Sequence, residues 1–361
     1  MSGGVDSSVA ALLLKKKGYN AVGVFMRCYN LDGCAERDAE DARRVAEHIG
    51  IPFYVWDFEE EYKKRVVEYM IEGYRAGITP NPDVMCNREV KFGLFLKKAL
   101  AAGADYVATG HYVRIQKSES RSQKKQEYQL REAKDKNKDQ SYFLWTLTQV
   151  ELKHCLFPIG DYVKPKVREI AKKAGLPTAE KKDSQGVCFL GDVNVEDFLR
   201  QHIRAKKGAL VTTTGEQIGT HHGAAFYTIG ERHINANFKF PKTGKKMDRK
   251  PFYVADKNIR TNTVVVAEGD EHPALYRKEI VLTSVNFLGQ KSEIRNQKPV
   301  FARVRYRQPL AKAALWKDQK SKIKDSKYKL IFDQPQKFVA SGQSAVFYDK
   351  SNVMLGGGVI V

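Results

Sequence analysis

The chain has 361 residues, 42% hydrophobic and 29% charged, with 62 Lys and Arg against 42 Asp and Glu and a formal charge of +20. That length exceeds one ordinary core, so two or three domains are expected, and no apolar run approaches the roughly 20 residues of a membrane span. The charge favours a polyanionic partner, with a solvated lysine-rich surface as the plainer reading of pairs such as Lys124-Lys125, Lys206-Lys207 and Lys245-Lys246.

The opening string, Met1-Ser2-Gly3-Gly4-Val5-Asp6-Ser7-Ser8, runs straight into an apolar-periodic stretch, Val9 to Leu14. Gly3 and Gly4 can take φ > 0 and let backbone N–H groups approach an anion. Ser7 and Ser8 add hydroxyl donors, and a helix N-terminus adds partial positive charge. Simple capping by Asp6 or Ser7 does not require two glycines and two serines. The string lacks the Gly-Lys-Ser/Thr ending of a Walker A loop. It resembles instead the PP-loop of ATP pyrophosphatases, which cleave ATP to AMP and pyrophosphate and adenylate a substrate oxygen. Such a loop is expected to follow a buried strand, so a start at the loop itself reads as a misassigned start codon or a truncation. The polar opening leaves no room for a secretory signal.

From residue 5 to about 110 helices and strands alternate. A helix is predicted over 5–17, closing near Gly18, with Val9, Leu12 and Leu13 on one stripe. Ala21 to Met26 reads as a buried strand, Ala35 to His48 as a helix, Pro52 to Phe58 as a strand. Helices over Glu60 to Tyr74 and Asn87 to Ala102 follow, then a strand over Asp105 to Thr109. This alternation predicts an α/β domain with a doubly wound parallel sheet, whose ligands sit beyond the carboxyl ends of the strands. The opening loop, the loop after Met26 and the Thr109-Gly110-His111 turn are expected to share one rim.

Residues 112–131 read as a hairpin with a polar tip, and 139–204 as helical with breaks at Phe157-Pro158 and Leu176-Pro177. Past about 206 short β-branched and aromatic runs take over: Ala209 to Thr213, Ala225 to Ile229, Phe252 to Ala255, Thr263 to Ala267, Ile280 to Val285, Val300 to Tyr306, Lys329 to Phe332, Ser344 to Tyr348 and Met354 to Val361. That predicts two small β domains, the last a β-barrel. The domains are expected at 1–205, 206–277 and 278–361.

The five cysteines are Cys28, Cys34, Cys86, Cys155 and Cys188. An odd count at irregular spacing argues against a secreted disulfide framework and for a reducing, cytoplasmic compartment. No second pair completes a zinc site with Cys28 and Cys34, and no metal site is expected. In Thr79-Pro80-Asn81-Pro82-Asp83-Val84-Met85-Cys86-Asn87 two prolines stiffen the approach to a helix start. Asp83 and Cys86, three apart, can face one spot, and a helix N-terminus favours a thiolate; a capped helix with a structural cysteine fits the spacing equally well. In Lys181-Lys182-Asp183-Ser184-Gln185-Gly186-Val187-Cys188 the lysines could favour a Cys188 thiolate, while Val187 and Phe189 also permit a buried, inert cysteine.

SGGVDSS, GVFM, TPNPDVMCN, KFG, ATGHY, KDQSYFLWTL, FPIG, KKDSQGVCFLG, RVRYRQP, SGQSAVFY and LGGG occur in the order seen in the tRNA-specific 2-thiouridylases, the MnmA/TrmU family, and the likeness runs essentially the whole length. The string from Glu231 to Ala236 departs from that family's pattern after TIG. The resemblance implies an N-terminal PP-loop domain of the adenine nucleotide alpha-hydrolase kind followed by two β domains. It implies that sulfur replaces O2 of the wobble uridine in tRNAs with Lys, Glu and Gln acceptors. ATP phosphates would lie on Gly3, Gly4, Val5, Asp6, Ser7 and Ser8, adenosine on Met26 and Gly110, and Mg²⁺ across the phosphates. Cys188 matches the persulfide carrier, loaded by a cysteine desulfurase or sulfur-relay donor protein. Cys86 matches its partner cysteine, resolving the persulfide as a Cys86–Cys188 disulfide or freeing hydrosulfide. Asp83 matches an acid/base residue. Asn81, Pro82 and Asp83 would hold the extruded base. His111, Lys138, Asp139, Gln140, Arg305, Tyr306 and Gln343 match tRNA contacts, and tRNA phosphates would account for the charge. The competing readings are a small-molecule adenylating synthetase or amidotransferase, which needs neither cysteine, and a tRNA-binding β module with a degenerate nucleotide domain.

Overall fold

The protein is described by a computed structural model over residues 1–29, 33, 35–119, 126–183, 193–238, 250–289, 297–317 and 328–361. Cys34 and Cys188 lie outside the described residues, as does most of the polar hairpin tip.

Helix α1 (Val5–Lys16) buries Val5, Val9, Ala10 and Leu12. They pack on Val45, Ile159, Val167, Ala171 and Leu176, so the apolar stripe seats the phosphate-loop end of α1 in a rigid core. Strands β1 (Gly23–Arg27) and β2 (Phe53–Asp57) pair in parallel, with α2 (Ala35–Ile49) crossing between them. This is the parallel strand–helix–strand unit the alternation predicted. In β1 only Gly23 and Phe25 are buried, so the continuously buried strand expected over Ala21 to Met26 is half-buried; among the described residues β1 has a single strand partner, β2. Beyond them lie β3 (Val107–Ala108), the antiparallel hairpin of β4 (Val113–Glu119) and β5 (Gln126–Glu132), and β6 (Cys155–Leu156), which pairs in parallel with β3.

Over 139–204 the expected breaks at Phe157-Pro158 and Leu176-Pro177 are present, but the stretch before them is less helical than its pattern suggests. The segment holds a 3₁₀ turn at Ser141–Leu144, a short helix at Gln149–Leu152, strand β6, and helices at Lys164–Lys173 and Val195–Arg200. Tertiary contacts override the local pattern: Tyr142, Leu144, Trp145 and Leu147 are all buried, which one face of a surface helix could not achieve.

The central domain is a five-stranded sheet of β7 (Gly208–Thr212), β8 (Gln217–His221), β9 (Ala236–Phe238), β10 (Phe252–Asn258) and β11 (Thr263–Glu268), in the order β10-β11-β7-β8-β9. Ala225 to Ile229, read as a strand, instead begins in a 3₁₀ turn at Ala224–Phe226. Gly223 and Gly230 bracket it with φ of 149° and 85°, and such backbone cannot continue a ladder. The last domain is a closed barrel of β12 (Tyr276–Phe287), β13 (Gln297–Arg303), β14 (Ala311–Lys317), β15 (Tyr328–Lys337), β16 (Ser344–Tyr348) and β17 (Met354–Ile360), in the order β12-β15-β14-β13-β16-β17. Leu282, Ala302, Leu315, Leu330, Phe332 and Phe347 fill it. Strand β14 went unread because Ala-Lys-Ala-Ala-Leu-Trp-Lys carries helix-forming residues; its neighbours in the closed sheet decide its state.

The three bodies meet on one helix. It starts as an α-turn at Pro82–Met85 and continues as a π-helical stretch, Cys86–Phe95, into Leu96–Ala101. Cys86 and Val90 share a core with Tyr62, Met70 and Tyr74 and with Tyr227, Val254 and Val264 of the central sheet. Val84 and Phe92 share another with Tyr142, Trp145 and, from the barrel, Val346, Tyr348 and Met354.

Candidate active site

The opening loop has the form of an anion cradle. Gly4 is the N-cap of α1, extended at φ −97° and ψ 163°, and no side chain caps the first turn. The amides of that turn therefore lack an intrahelical partner. The Ser7 and Ser8 hydroxyls donate to the Gly4 carbonyl at 3.1 and 2.8 Å, and Ser7 Oγ accepts from the Ser2 amide at 3.1 Å. Thr178 supports Ser8 from below at 3.0 Å. Gly3 stands at φ 69°, where a Cβ would lie 2.3 Å from the Asp38 carbonyl oxygen. A Cβ on Gly110 would lie 2.7 Å from the Ser7 amide nitrogen, so the Thr109-Gly110-His111 turn abuts the cradle. Met26 sits near the carboxyl end of β1, partly buried. The residues present fit a nucleotide's phosphates: first-turn amides without an intrahelical partner and a helix terminus converge where backbone can approach closely, and the serine hydroxyls brace that turn through the Gly4 carbonyl.

Asp6 is not a cap. Its carboxylate accepts from the Tyr112 hydroxyl at 2.8 Å and from Lys164 Nζ at 2.8 and 2.9 Å. Lys164, itself buried, also reaches Asp183 at 2.8 Å. Asp183 is further held by Lys138 at 2.8 Å and Arg168 at 2.7 Å. Burial raises the Asp183 pKa, but the hydrogen bonds from Lys138 and Lys164 outweigh it and bring it to about 2. Lys181 is paired with Asp38 at 2.7 Å and Asp41 at 2.5 Å; Cys188, whose thiolate it was expected to favour, lies outside the described residues.

The second centre is the helix start at Asn81. Its side-chain oxygen accepts from the Val84 amide at 3.2 Å, and Pro82 occupies the first helical turn, where its missing N–H costs nothing. Asp83 and Cys86 lie three residues apart on this turn, hence on one face. Cys86 is buried. Burial pushes the Asp83 carboxyl above the usual aspartate range, with the positive charge of Lys91 partly opposing it. The π-helical turns begin at Cys86 itself, a distortion that recurs at functional sites.

His111 is buried between the Phe92 and Phe157 rings, 5.9 and 6.3 Å away, with Nδ1 2.7 Å from Thr109 Oγ1. Burial, then the charge of Lys91, hold its pKa well below the ordinary value, leaving a neutral imidazole at neutral pH. Tyr306 packs on Phe143 at 4.5 Å and Tyr142 at 6.2 Å, and Arg305 lies 5.7 Å from the Phe338 ring.

The remaining expected tRNA contacts are engaged inside the protein. Asp139 is 1% exposed. Its oxygens accept from the amides of Ala133 and Ser141, from the Ser141 hydroxyl at 2.9 Å, and from Arg303 at 3.4 Å. Burial raises its pKa. Gln140 accepts from the Tyr112 amide at 3.0 Å. Gln343 donates to the carbonyls of Thr79 and Pro80 at 2.9 and 3.1 Å.

Sequence reasoning missed Lys164, Arg168 and the Arg303–Glu132 pair. Arg303 lies within the RVRYRQP string, but nothing in spacing tied it to Glu132, 171 residues away. Cys155 is buried, donates to the Glu151 carbonyl at 3.2 Å, and has its pKa pushed up to about 12 by burial.

Comparison with known proteins covers the whole chain. Residues 1–192 match the family described as tRNA methyl transferase HUP domain, 196–268 its PRC-barrel domain, and 277–360 an aminomethyltransferase beta-barrel domain. The chain is 45% identical over 365 residues to tRNA-specific 2-thiouridylase MnmA of Streptococcus mutans serotype c, covering all of this chain and 93% of that protein. It is 43% identical to the protein of the same name from Pseudomonas putida strain W619, with the same coverage. Against that of Alkaliphilus oremlandii it is 42% identical over 369 residues, all of this chain and 95% of the relative.

Proposed function

The chain belongs to the tRNA-specific 2-thiouridylase family, and from that premise we propose the route by which it replaces O2 of the wobble uridine of tRNA with sulfur. It is a tRNA-modifying sulfurtransferase. In our reading residues 1–205 form the ATP-binding catalytic domain, 206–277 a central β domain and 278–361 the barrel.

ATP phosphates sit on Gly3 to Ser8 and the adenosine against Met26 and Gly110. Mg²⁺ would come with the nucleotide and would supply charge neutralisation on its phosphates. Asn81, Pro82 and Asp83 receive the extruded uracil, since C2 is out of reach within a stack. The uracil O2 attacks the α-phosphorus; the bond to pyrophosphate breaks, and O2 now carries AMP. Asp83, with its raised pKa, exchanges the proton that this change of charge requires near neutral pH. The terminal sulfur of a Cys188 persulfide, loaded by a donor protein, attacks C2 and expels AMP with the C2–O2 electrons. The Cys86 thiolate then attacks Cys188 Sγ, forming the Cys86–Cys188 disulfide and leaving the sulfur on uridine. In the other order, Cys86 first displaces hydrosulfide from the persulfide, and hydrosulfide attacks C2. Either way a two-electron reductant resets the pair.

The observation that carries this reading is the pairing of a buried Cys86 with a desolvated Asp83 on one capped helix turn. Lys138, Arg305 and Tyr306 lie on the tRNA path in this account, with Lys, Glu and Gln tRNAs as substrates in the cytoplasm. Among the described residues no helix is long and apolar enough to cross a membrane.

The test is tRNA-dependent AMP formation beside 2-thiouridine formation. Cys86→Ser and Cys188→Ser are expected to form no 2-thiouridine, and Asp83→Asn to lose AMP formation as well. Full thiolation by Cys188→Ser would transfer the chain to the adenylating synthetases that need no cysteine.

A further inference from the structure

The loop that bears the proposed base site is held by the far end of the chain. Thr79 donates its amide to the Ser341 carbonyl at 2.8 Å. Gln343 returns two hydrogen bonds from Nε2, to the Thr79 carbonyl at 2.9 Å and the Pro80 carbonyl at 3.1 Å. Between them Gly342, at φ 89°, presses so close that a Cβ there would lie 2.8 Å from the Thr79 oxygen. The next residue, Asn81, caps the helix turn of Asp83 and Cys86. The turn is itself anchored: Ser344 accepts at its carbonyl from Tyr142 and at its hydroxyl from the Trp145 indole, both at 2.9 Å.

Proline at position 80 has no amide to donate, and Pro82 none either. The loop therefore has few intrinsic ways to fix its height above the sheet, and its carbonyls need donors from outside. Gln343 is the side chain that supplies two of them. A glutamine whose amide nitrogen is used in this way presents only its oxygen to a ligand.

We infer that Gln343 is a positioning residue: through the Thr79 and Pro80 carbonyls it sets where Asp83 and Cys86 stand, so that the barrel governs chemistry in the N-terminal domain and does more than grip tRNA. The inference rests on the reading of Asp83 and Cys86 as the reacting groups. A misplacement of about 1 Å costs on the order of a hundredfold in rate, so loss of the clamp is read in kcat.

The experiment compares the unaltered protein with Gln343→Met, which keeps the volume and loses the donor, and Gln343→Glu, which keeps the shape and sets a carboxylate against two carbonyls. Two quantities are read. The first is 2-thiouridine formation resolved into kcat and KM for tRNA. The second, in tRNA-free protein, is the rate at which iodoacetamide alkylates Cys86, followed by peptide mass spectrometry. The clamp predicts kcat falling about tenfold to a hundredfold, KM for tRNA nearly unchanged, and faster Cys86 alkylation without tRNA. A rise in KM with unaltered Cys86 alkylation would make Gln343 a tRNA contact and overturn the inference, as would no change in either quantity. If even the unaltered protein forms no 2-thiouridine, the reading of the site fails; the alkylation rates still report whether the clamp holds the Cys86 loop.

Discussion

Lys164 Nζ donates to both carboxylate oxygens of Asp6, at 2.8 and 2.9 Å. The lysine comes from a helix 158 residues further along the chain and is 8% exposed. Asp6 lies in the first turn of α1, so the lysine fixes a negative group beside the amides proposed to receive phosphate. The same ammonium reaches Asp183, tying the cradle to the strand of chain that leads toward Cys188.

Lys164→Met leaves Asp6 with the Tyr112 hydroxyl but no cation, while Asp183 keeps Lys138 and Arg168. Breaking a buried pair costs about 3–5 kcal/mol, and because Asp6 and Asp183 keep some solvent the expected loss is about 2–3 kcal/mol. Urea unfolding checks it. ATP binding by calorimetry should weaken in parallel, since freed Asp6 charge repels the triphosphate.

Gly110→Ala sets a methyl group where the Ser7 amide nitrogen stands 2.7 Å away. The backbone of the cradle must shift, so ATP affinity is expected to drop by about tenfold or more, with a stability loss of about 1–3 kcal/mol from overpacking. Unchanged nucleotide affinity in a folded variant would separate the Gly110 turn from the nucleotide site.

Asp83 has a folded pKa above its unfolded value because burial disfavours the carboxylate. Its contribution to stability is therefore present below the unfolded value of about 3.9 and is lost as pH rises through the folded one. Asp83→Asn carries no charge to desolvate. It should melt higher than the unaltered protein at neutral pH, with the gap closing toward about pH 4, while thiolation is lost. Scanning calorimetry across that range checks the sign.

The N-terminal half of this arrangement was legible in the sequence for a physical reason. Glycines, hydroxyls and a helix start are local signals, and so are the prolines and Asn81 ahead of Asp83. What could not be read is what holds these pieces against each other. Lys164, Arg303 and the Gln343 amide act across 158, 171 and 264 residues, where spacing carries no information. Tyr142 and Trp145 sit in a segment whose pattern favours a helix, yet their burial against barrel strand β16 dictates 3₁₀ and irregular backbone. Asp139 is the same lesson in charge: the family resemblance implied an RNA contact there, and its 1% exposure puts it in a buried network.

That network gives a further prediction. Arg303 bonds Glu132 and lies 3.4 Å from Asp139, all three buried. Arg303→Met alone leaves Asp139 without its cation and Glu132 with Lys136 alone, at the joint between hairpin and barrel, and should cost about 3–5 kcal/mol. Adding Glu132→Gln and Asp139→Asn should restore much of that loss, because the uncompensated charges are gone. Denaturant midpoints of the single and triple variants decide it.

The central claim is that Cys86 and Cys188 transfer sulfur to an ATP-activated uridine. The most direct measurement is nucleoside mass spectrometry of unmodified tRNA incubated with the protein, ATP, Mg²⁺ and a persulfide donor, a cysteine desulfurase with cysteine, with Cys86→Ser and Cys188→Ser alongside. The account predicts 2-thiouridine with the unaltered protein alone, and only when ATP is present. Equal 2-thiouridine from either serine variant, or product formed without ATP, would contradict it.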